Sequence, residues 1–308
     1  MLKKLLLAGV AITMVAGVAQ AKDLNKIGVS LGSMGNPFFV ALANGATAQA
    51  KESNPKAEVT ALGYDYDLGK QFTQIDNFIA AGDDLILLNP GDPVAIAPAI
   101  KRAQAAGVPV VAVDTAAQGA DATVTTDNVK AGELACQYLV DKLGGKGNVV
   151  IVNGPHVSAV IDRVKGCHNV LDKQSGIKIL SDDQDAHGSR DGGLAVMQGL
   201  LTRFDKIDGV FGINDPTSIG ADLAAKQLNR KEMIITSVDG APDIVAALEG
   251  DTLIQASAAQ DPFGMAKKAT EVGIGIINGK KPEQDPILIP PTLVTRDNVK
   301  DYKGWTGH

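Results

Sequence analysis

A chain of 308 residues, 45% apolar and 21% charged, is long enough for two hydrophobic cores and too apolar to be disordered. Its formal net charge of −6, with no lysine- or arginine-rich tract, argues against nucleic acid or an anionic membrane surface as partner. Its four histidines, His156, His168, His187 and His308, are scattered without metal-ligand spacing, and the spaced Gly-Lys-Ser/Thr pattern of a phosphate loop is missing.

The chain opens with Met1-Leu2-Lys3-Lys4, an apolar run from Leu5 to Val18, and Ala19-Gln20-Ala21. That order of basic, apolar and small residues predicts a secretory signal peptide over 1–21, cleaved after Ala21. The run is shorter than the ~20 apolar residues of a membrane span. No later stretch approaches that length, so the mature chain is expected to be soluble.

Lys26–Leu31 then reads as a strand and Pro37–Glu52 as a helix stopped by Asn54-Pro55. Between them lies Ser33-Met34-Gly35-Asn36-Pro37-Phe38-Phe39, two adjacent aromatics beside an asparagine in a chain only 4% aromatic. Such a stretch has two readings. Asn36 can cap the helix with Pro37 in its first turn and the phenylalanines in the core. Equally, an amide that both donates and accepts, next to an aromatic face, suits a polyhydroxylated ligand.

Ala57–Leu62 reads as the next strand, and Leu68, Phe72, Ile75, Phe78 and Ile79 recur at helical spacing. Leu85–Leu88 is a wholly apolar strand, Pro93–Ala106 a helix ended by Gly107, Val110–Val113 another apolar strand, and Ala122–Val124 a short extended piece. A second series follows: helix Asn128–Leu143 stopped by Gly144-Gly145, strand Asn148–Val152, helix Ser158–Lys173, strand Lys178–Ser181 and helix Ser189–Arg203. Strand Gly209–Ile213, helix Pro216–Leu228, strand Met233–Val238, helix Pro242–Glu249, strand Ile254–Ala258 and helix Pro262–Asn278 complete it, before a proline-rich extended piece from Pro286 to Thr295. Strict alternation with unbroken apolar strands predicts an α/β fold of two doubly wound parallel-sheet lobes.

The two cysteines, Cys136 and Cys167, fall inside helical patterns. In an exported protein such a pair is expected to form a disulfide, the alternative being two small buried thiols.

The apolar strands share one kind of ending: Leu85–Leu88 runs into Asn89, Val110–Val113 into Asp114, Phe211-Gly212-Ile213 into Asn214-Asp215, and Thr236-Ser237-Val238 into Asp239-Gly240. In open α/β sheets ligands bind outside the carboxyl ends of the strands. One such ending would read as a helix cap or turn. Four of them, two from each half, predict a shared cleft.

Asn36-Pro37-Phe38-Phe39, Leu88-Asn89-Pro90, Val113-Asp114, Thr126-Asp127-Asn128, Asp162-Arg163, Asn214-Asp215, Val238-Asp239-Gly240 and Ala259-Gln260 stand in one order and spacing. With that set, from about Lys26 to about Thr295, the chain resembles the periplasmic sugar-binding proteins of the ribose-binding type, the solute-binding subunits of ABC importers. The resemblance implies two lobes joined by a three-strand hinge, residues 22–125 with 261–290 in one and 126–260 with 291–308 in the other. It also implies a monomer in the periplasm that carries a sugar or polyol to an inner-membrane permease and its ATPase, with a chemoreceptor or kinase as the alternative recipient, and neither cofactor nor metal. Asn36, Phe38, Phe39, Asn89, Asp114 and Thr115 would be ligand contacts from the first lobe. Arg163, Asn214 and Asp239 would come from the second, and Gln260 from the crossover.

Two positions depart from the ribose-type pattern. Thr115 stands where an arginine follows the Asp, and Gly188 where the second lobe's stacking ring would be. His187 is the candidate to replace that ring, while Arg190 is expected to be structural. These losses open the ligand choice to another pentose, a hexose or a linear polyol. An enzyme is disfavoured because the Gly28–Gly35 stretch lacks G-x-G-x-x-G spacing and no nucleophile elbow appears. A sugar-responsive repressor would need a helix-turn-helix and a basic surface.

Overall fold

Every residue of Leu85–Leu88 and Val110–Val113 is buried, as strands covered by helices on both faces must be. In the computed structural model, which describes residues 23–305, they are β3 and β4 of a six-stranded sheet. Its other members are β1 (Lys26–Leu31), β2 (Glu58–Gly63), β5 (Ala122–Thr126) and β11 (Ile287–Ile289), in the order β2-β1-β3-β4-β5-β11. A second six-stranded sheet holds β6 (Lys146–Asn153), β7 (Gly176–Asp185), β8 (Gly209–Gly212), β9 (Ile234–Asp239), β10 (Ile254–Ala259) and β12 (Thr292–Thr295), in the order β7-β6-β8-β9-β10-β12. The two-lobe α/β architecture is therefore present. The expected signal peptide, Met1–Ala21, lies outside the described residues.

One expectation needs correcting. The second sheet is not wholly parallel, because β12 pairs antiparallel with β10 while β11 pairs parallel with β5. The chain passes between the sheets after β5, β10 and β11. The first two passages leave a strand's carboxyl end and enter helices, α4 (Asn128–Leu143) and α9 (Pro262–Ile277), which carry the chain back to start new parallel strands. The third, through Pro290-Pro291, has no helix. The chain thus enters the second sheet from its carboxyl edge and must run the other way.

Helix starts follow local chemistry. The side chains of Asn36, Asp67, Asp127, Ser189, Asn214 and Asp261 each accept a main-chain N–H two or three residues on, and Pro37 and Pro262 open α1 (Pro37–Ser53) and α9. Left-handed Gly82 and Gly144 end α2 (Leu68–Ala81) and α4. Helix α3 (Ala97–Ala105) begins later than the expected Pro93, because Asp92 Oδ1 takes the N–H groups of Val94 and Ala95 into a separate turn.

In the second lobe α4 lies against α5 (Ser158–Leu171) at unusually short range. A Cβ on Gly132 would collide with the carbonyl oxygen of Arg163, and one on Gly166 with that of Val129. Beside this contact Cys136 and Cys167 are joined, with S–S 1.96 Å and Cα atoms 5.1 Å apart. The remaining helices are α6 (Arg190–Arg203), α7 (Asp215–Gln227) and α8 (Pro242–Glu249). After β12 the chain makes a short 3₁₀ turn (Val299–Asp301) and reaches Trp305, whose ring meets Phe38 edge-on at 5.7 Å.

Candidate functional site

The carboxyl ends of both sheets face one another, and the polar residues that terminate the strands meet there. Asn89 follows β3, Asp114 follows β4, Asn214 follows Ile213 beyond β8, Asp239 ends β9 and Gln260 follows β10. All five are buried. Asp114 and Asp239 have φ of +67° and +135°, backbone that L-residues rarely adopt and that collects at functional sites.

Hydrogen bonds fix these side chains in two groups. On the first lobe Asn89 Nδ2 donates to Asp114 Oδ2 at 2.9 Å and to Thr115 Oγ1 at 2.9 Å. Asp114 Oδ1 is buried without a partner. On the second lobe Arg163 donates from Nε to Asn128 Oδ1 at 2.9 Å, and from one terminal nitrogen to Ile213 O at 2.9 Å and Asp239 Oδ1 at 3.2 Å. Gln260 Nε2 donates to the same Asp239 oxygen at 2.7 Å, and Gln260 Oε1 accepts from Thr126 Oγ1 at 2.6 Å. Gln260 thereby ties the second lobe's acid to a residue of the first sheet. Trp305 Nε1 donates to the main-chain oxygen of Asp239 at 3.0 Å.

Burial pushes the Asp114 carboxyl up to about 7. The Arg163 charge and the Asn89 hydrogen bond oppose this, and the Asp239 charge adds to it. Asp239 is also raised by burial, against Arg163 and Gln260. Asp215, behind it, is raised by burial and by Asp239, while Ala241 N and Ser257 Oγ hold its two oxygens.

Between the two groups lies a cavity of about 40 Å³. Asn36, Phe38, Phe39, Asn89, Asp114 and Thr115 line it from the first lobe. Arg163, Asn214 and Asp239 line it from the second, with Gln260 at the crossover. Ten of the eleven residues expected from the sequence are thus brought together. Asn36 and Asn214 do both things the sequence allowed: each caps its helix through Oδ1 and also faces the cavity. The two phenylalanine rings meet edge-to-face at 5.5 Å.

His187 is the one brought elsewhere. Its side chain is 76% exposed, with Nδ1 3.2 Å from Asp185 Oδ2, and it lines a separate outer cavity of about 520 Å³ at the cleft mouth. Arg190 also lies there, paired with Asp243 at 2.7 Å. The two cavities share Asn36, Tyr66 and Gly188. Sequence reasoning missed the aliphatic lining residues Val157, Val160 and Ile213 and one aromatic, Tyr66. Tyr66 has φ +60° just beyond β2 and packs edge-on against Tyr64 at 5.9 Å. A Cβ on Gly188 would meet Asn214 Nδ2 at 3.3 Å, Pro155 Cδ at 3.7 Å and Tyr66 Oη at 3.9 Å. A side chain at position 188 would therefore start among groups of both lobes, on a backbone at φ +58° that favours glycine. The remaining signal for Tyr66 was compositional: two of only four tyrosines stand within three residues after a strand.

Among the described residues no cluster of His, Cys, Asp or Glu could hold a metal ion, and no helix is long and apolar enough to cross a membrane. A model of the periplasmic binding protein domain matches residues 27–281. The ribose import binding protein RbsB of Bacillus subtilis (strain 168) is 36% identical over 273 residues, 88% of this chain and 87% of that protein. The xylitol-binding protein of Mycolicibacterium smegmatis is 32% identical over 289 residues, 91% of this chain and 80% of that protein. Among solved structures, an ABC transporter solute-binding protein from Mycobacterium smegmatis with bound glycerol superposes with a TM-score of 0.83 at 28% identity, covering 90% of this chain and 96% of that one.

Proposed function

The chain belongs to the periplasmic binding protein family, and on that footing we propose that it is the solute-binding subunit of an ABC importer, capturing a neutral monosaccharide or polyol between its lobes and delivering it to the permease and its ATPase. The observation that carries this reading is the Asp114 carboxylate. One oxygen is held by Asn89 and the other, buried and unpartnered, is available to a ligand hydroxyl, opposite an Arg163–Asp239 pair. Asp114 and Asp239 would accept charge-assisted hydrogen bonds, Arg163 would donate, and Asn36, Asn89, Asn214 and Gln260 would do either. Phe38, Phe39 and Tyr66 would cover the ligand's apolar carbons.

A ligand touching both lobes favours the closed arrangement by differential affinity. We assign residues 22–125 with 261–290 and 126–260 with 291–308 to the two closing bodies. The protein would work in the periplasm as a monomer, after cleavage behind Ala21, and would carry out no reaction on its ligand. The test is a thermal-shift and calorimetric screen of pentoses, hexoses and alditols. A one-to-one complex with one of them is expected. Hits confined to amino acids or peptides would overturn the reading.

A further inference from the structure

Resting on that reading of the cleft, we infer that Tyr302 and Trp305 are positioning residues for recognition. Without lining the cavity, they hold the Asp239-Gly240 main chain and back the Phe38 ring. Asp239 and Gly240 have φ of +135° and +75° in succession, and a Cβ on Gly240 would lie 2.5 Å from both Ala259 Cβ and Tyr302 Oη. Positive φ at a residue other than glycine persists only where its surroundings fix it. Here that backbone sets where the Asp239 carboxylate points, since β9 ends at that residue.

Four main-chain groups of this turn meet side chains. Gly240 N–H donates to Ser257 Oγ at 3.1 Å and Ala241 N–H to Asp215 Oδ2 at 2.7 Å. Both partners belong to the body of the lobe, and Ser257 Oγ in turn donates to Asp215 Oδ1 at 2.8 Å. The carbonyls are served from the segment after β12. Tyr302 Oη donates to Gly240 O at 2.9 Å, and Trp305 Nε1 to Asp239 O at 3.0 Å. The Asp239 carbonyl also accepts the Gln260 N–H at 2.9 Å, so Trp305 takes its second lone pair. A carbonyl that loses its donor away from water is penalised, so both donors favour this one conformation of the turn.

The same segment spans the lobes. Val299 and Tyr302 pack in the second lobe's core, whereas Trp305 packs on the first lobe's core and meets Phe38 edge-on. One indole therefore touches a proposed contact from each lobe, the ring of Phe38 and the main chain of Asp239. Neither Tyr302 nor Trp305 reaches the cavity, so any effect on a ligand passes through those two residues.

The test takes two measurements on the mature protein. Tyr302→Phe removes one hydroxyl, and Trp305→Phe leaves a ring beside Phe38 but no N–H. In the ligand-free state, hydrogen exchange read by mass spectrometry at Gly240 and Ala241 should quicken at least fivefold in each, with α4 and α5 unchanged. Calorimetric titration uses D-ribose, xylitol and glycerol, with any further hit of the wider screen. Each variant should weaken the tightest of these at least threefold. Adding Trp305→Phe to Asp239→Asn should weaken binding less than twofold beyond Asp239→Asn alone, because both act at one residue. Unchanged exchange at the turn, unchanged dissociation constants, or fully additive losses would each overturn the inference and leave the sugar-or-polyol reading standing. A parent protein that binds no sugar or alditol in the wider screen would sink both.

Discussion

Ser158 Oγ, at the start of α5 in the second lobe, accepts a hydrogen bond from the main-chain N–H of Ala116 in the first at 2.6 Å. Nearby, His156 Nδ1 of the second lobe lies 3.7 Å from Asp92 Oδ2 of the first. Both contacts span the cleft, so they exist only while it is closed. The exposed His156–Asp92 pair contributes little. The Ser158 bond, partly buried, is worth about 1 kcal/mol. Ser158→Ala should therefore weaken ligand binding about fivefold by destabilising the closed state, with little change in urea unfolding of the ligand-free protein. The chain's single tryptophan, Trp305, abuts Phe38 and Asp239, so its emission can follow the titration. An unchanged dissociation constant would rule the latch out.

Arg163 serves Asn128, Ile213 and Asp239 at once from a side chain only 5% exposed. Removing one partner of a buried ion pair leaves the other charge uncompensated, typically at 3–5 kcal/mol. Arg163→Ala should lower unfolding stability by about 3 kcal/mol and abolish measurable ligand binding. Asp239→Asn keeps an acceptor for Arg163, so it should cost less stability yet still weaken binding at least tenfold. Equal stability of Arg163→Ala and the parent in urea would contradict this account.

The Asp114 carboxyl gives a pH signature. Burial raises it from 3.8 to about 7 in the folded protein, so the fold binds this proton more tightly than the unfolded chain does. Its contribution to stability is fully present below pH 3.8 and is lost as pH rises through about 7. The ligand-free protein should thus lose on the order of 1 kcal/mol or more of stability across that window. Asp114→Asn, which tolerates the same left-handed backbone, should flatten the slope. Ligand affinity should move oppositely, rising with pH as the carboxylate ionises and can accept from two hydroxyls. A pH-independent affinity would falsify the assigned role.

The Cys136–Cys167 link joins α4 to α5 across a sequence separation of 31. Closing a loop of that length restricts the unfolded chain by about 3–4 kcal/mol. Reduction, or Cys136→Ala with Cys167→Ala, should lower the unfolding midpoint in urea by a corresponding amount. Ligand affinity should stay within about twofold, since neither cysteine lines the cavity. A large affinity loss at full folding would show that the link also positions Arg163.

Among the described residues, Phe38, Phe39 and Tyr66 are the aromatic side chains that line the inner cavity. Each truncation to alanine should weaken polyol binding. Phe39→Ala should also loosen the first lobe, because its ring tip lies against Gly32, whereas Tyr66, 36% exposed at the mouth, should cost affinity with little stability. Thermal midpoints measured beside titrations separate the two effects.

Most of this site was legible because its residues end apolar strands, where a local change from buried hydrophobe to Asn or Asp marks the sheet edge. Asn89, Asp114, Asn214 and Asp239 all carry that mark. Tyr66 does not. It follows a half-exposed strand, β2, and reaches the cleft only through a left-handed backbone that no spacing rule announces. His187 misled for the complementary reason: chain proximity to Gly188 says nothing of direction, and its turn at φ +53° aims the ring at Asp185 and the mouth. The reversed β12 was hidden too, since its direction depends on which edge of the sheet the chain enters.

The glycine contact between α4 and α5 reaches the ligand without touching it. Gly132 receives the carbonyl of Arg163 itself, so any larger residue there would displace the backbone that carries the guanidinium. Sugar-binding proteins can diversify by changing the residues that line the cleft, but here that freedom has a boundary. Position 132 and its counterpart 166 hold the register of the helix pair, and a change at either would retune recognition through the backbone behind Arg163.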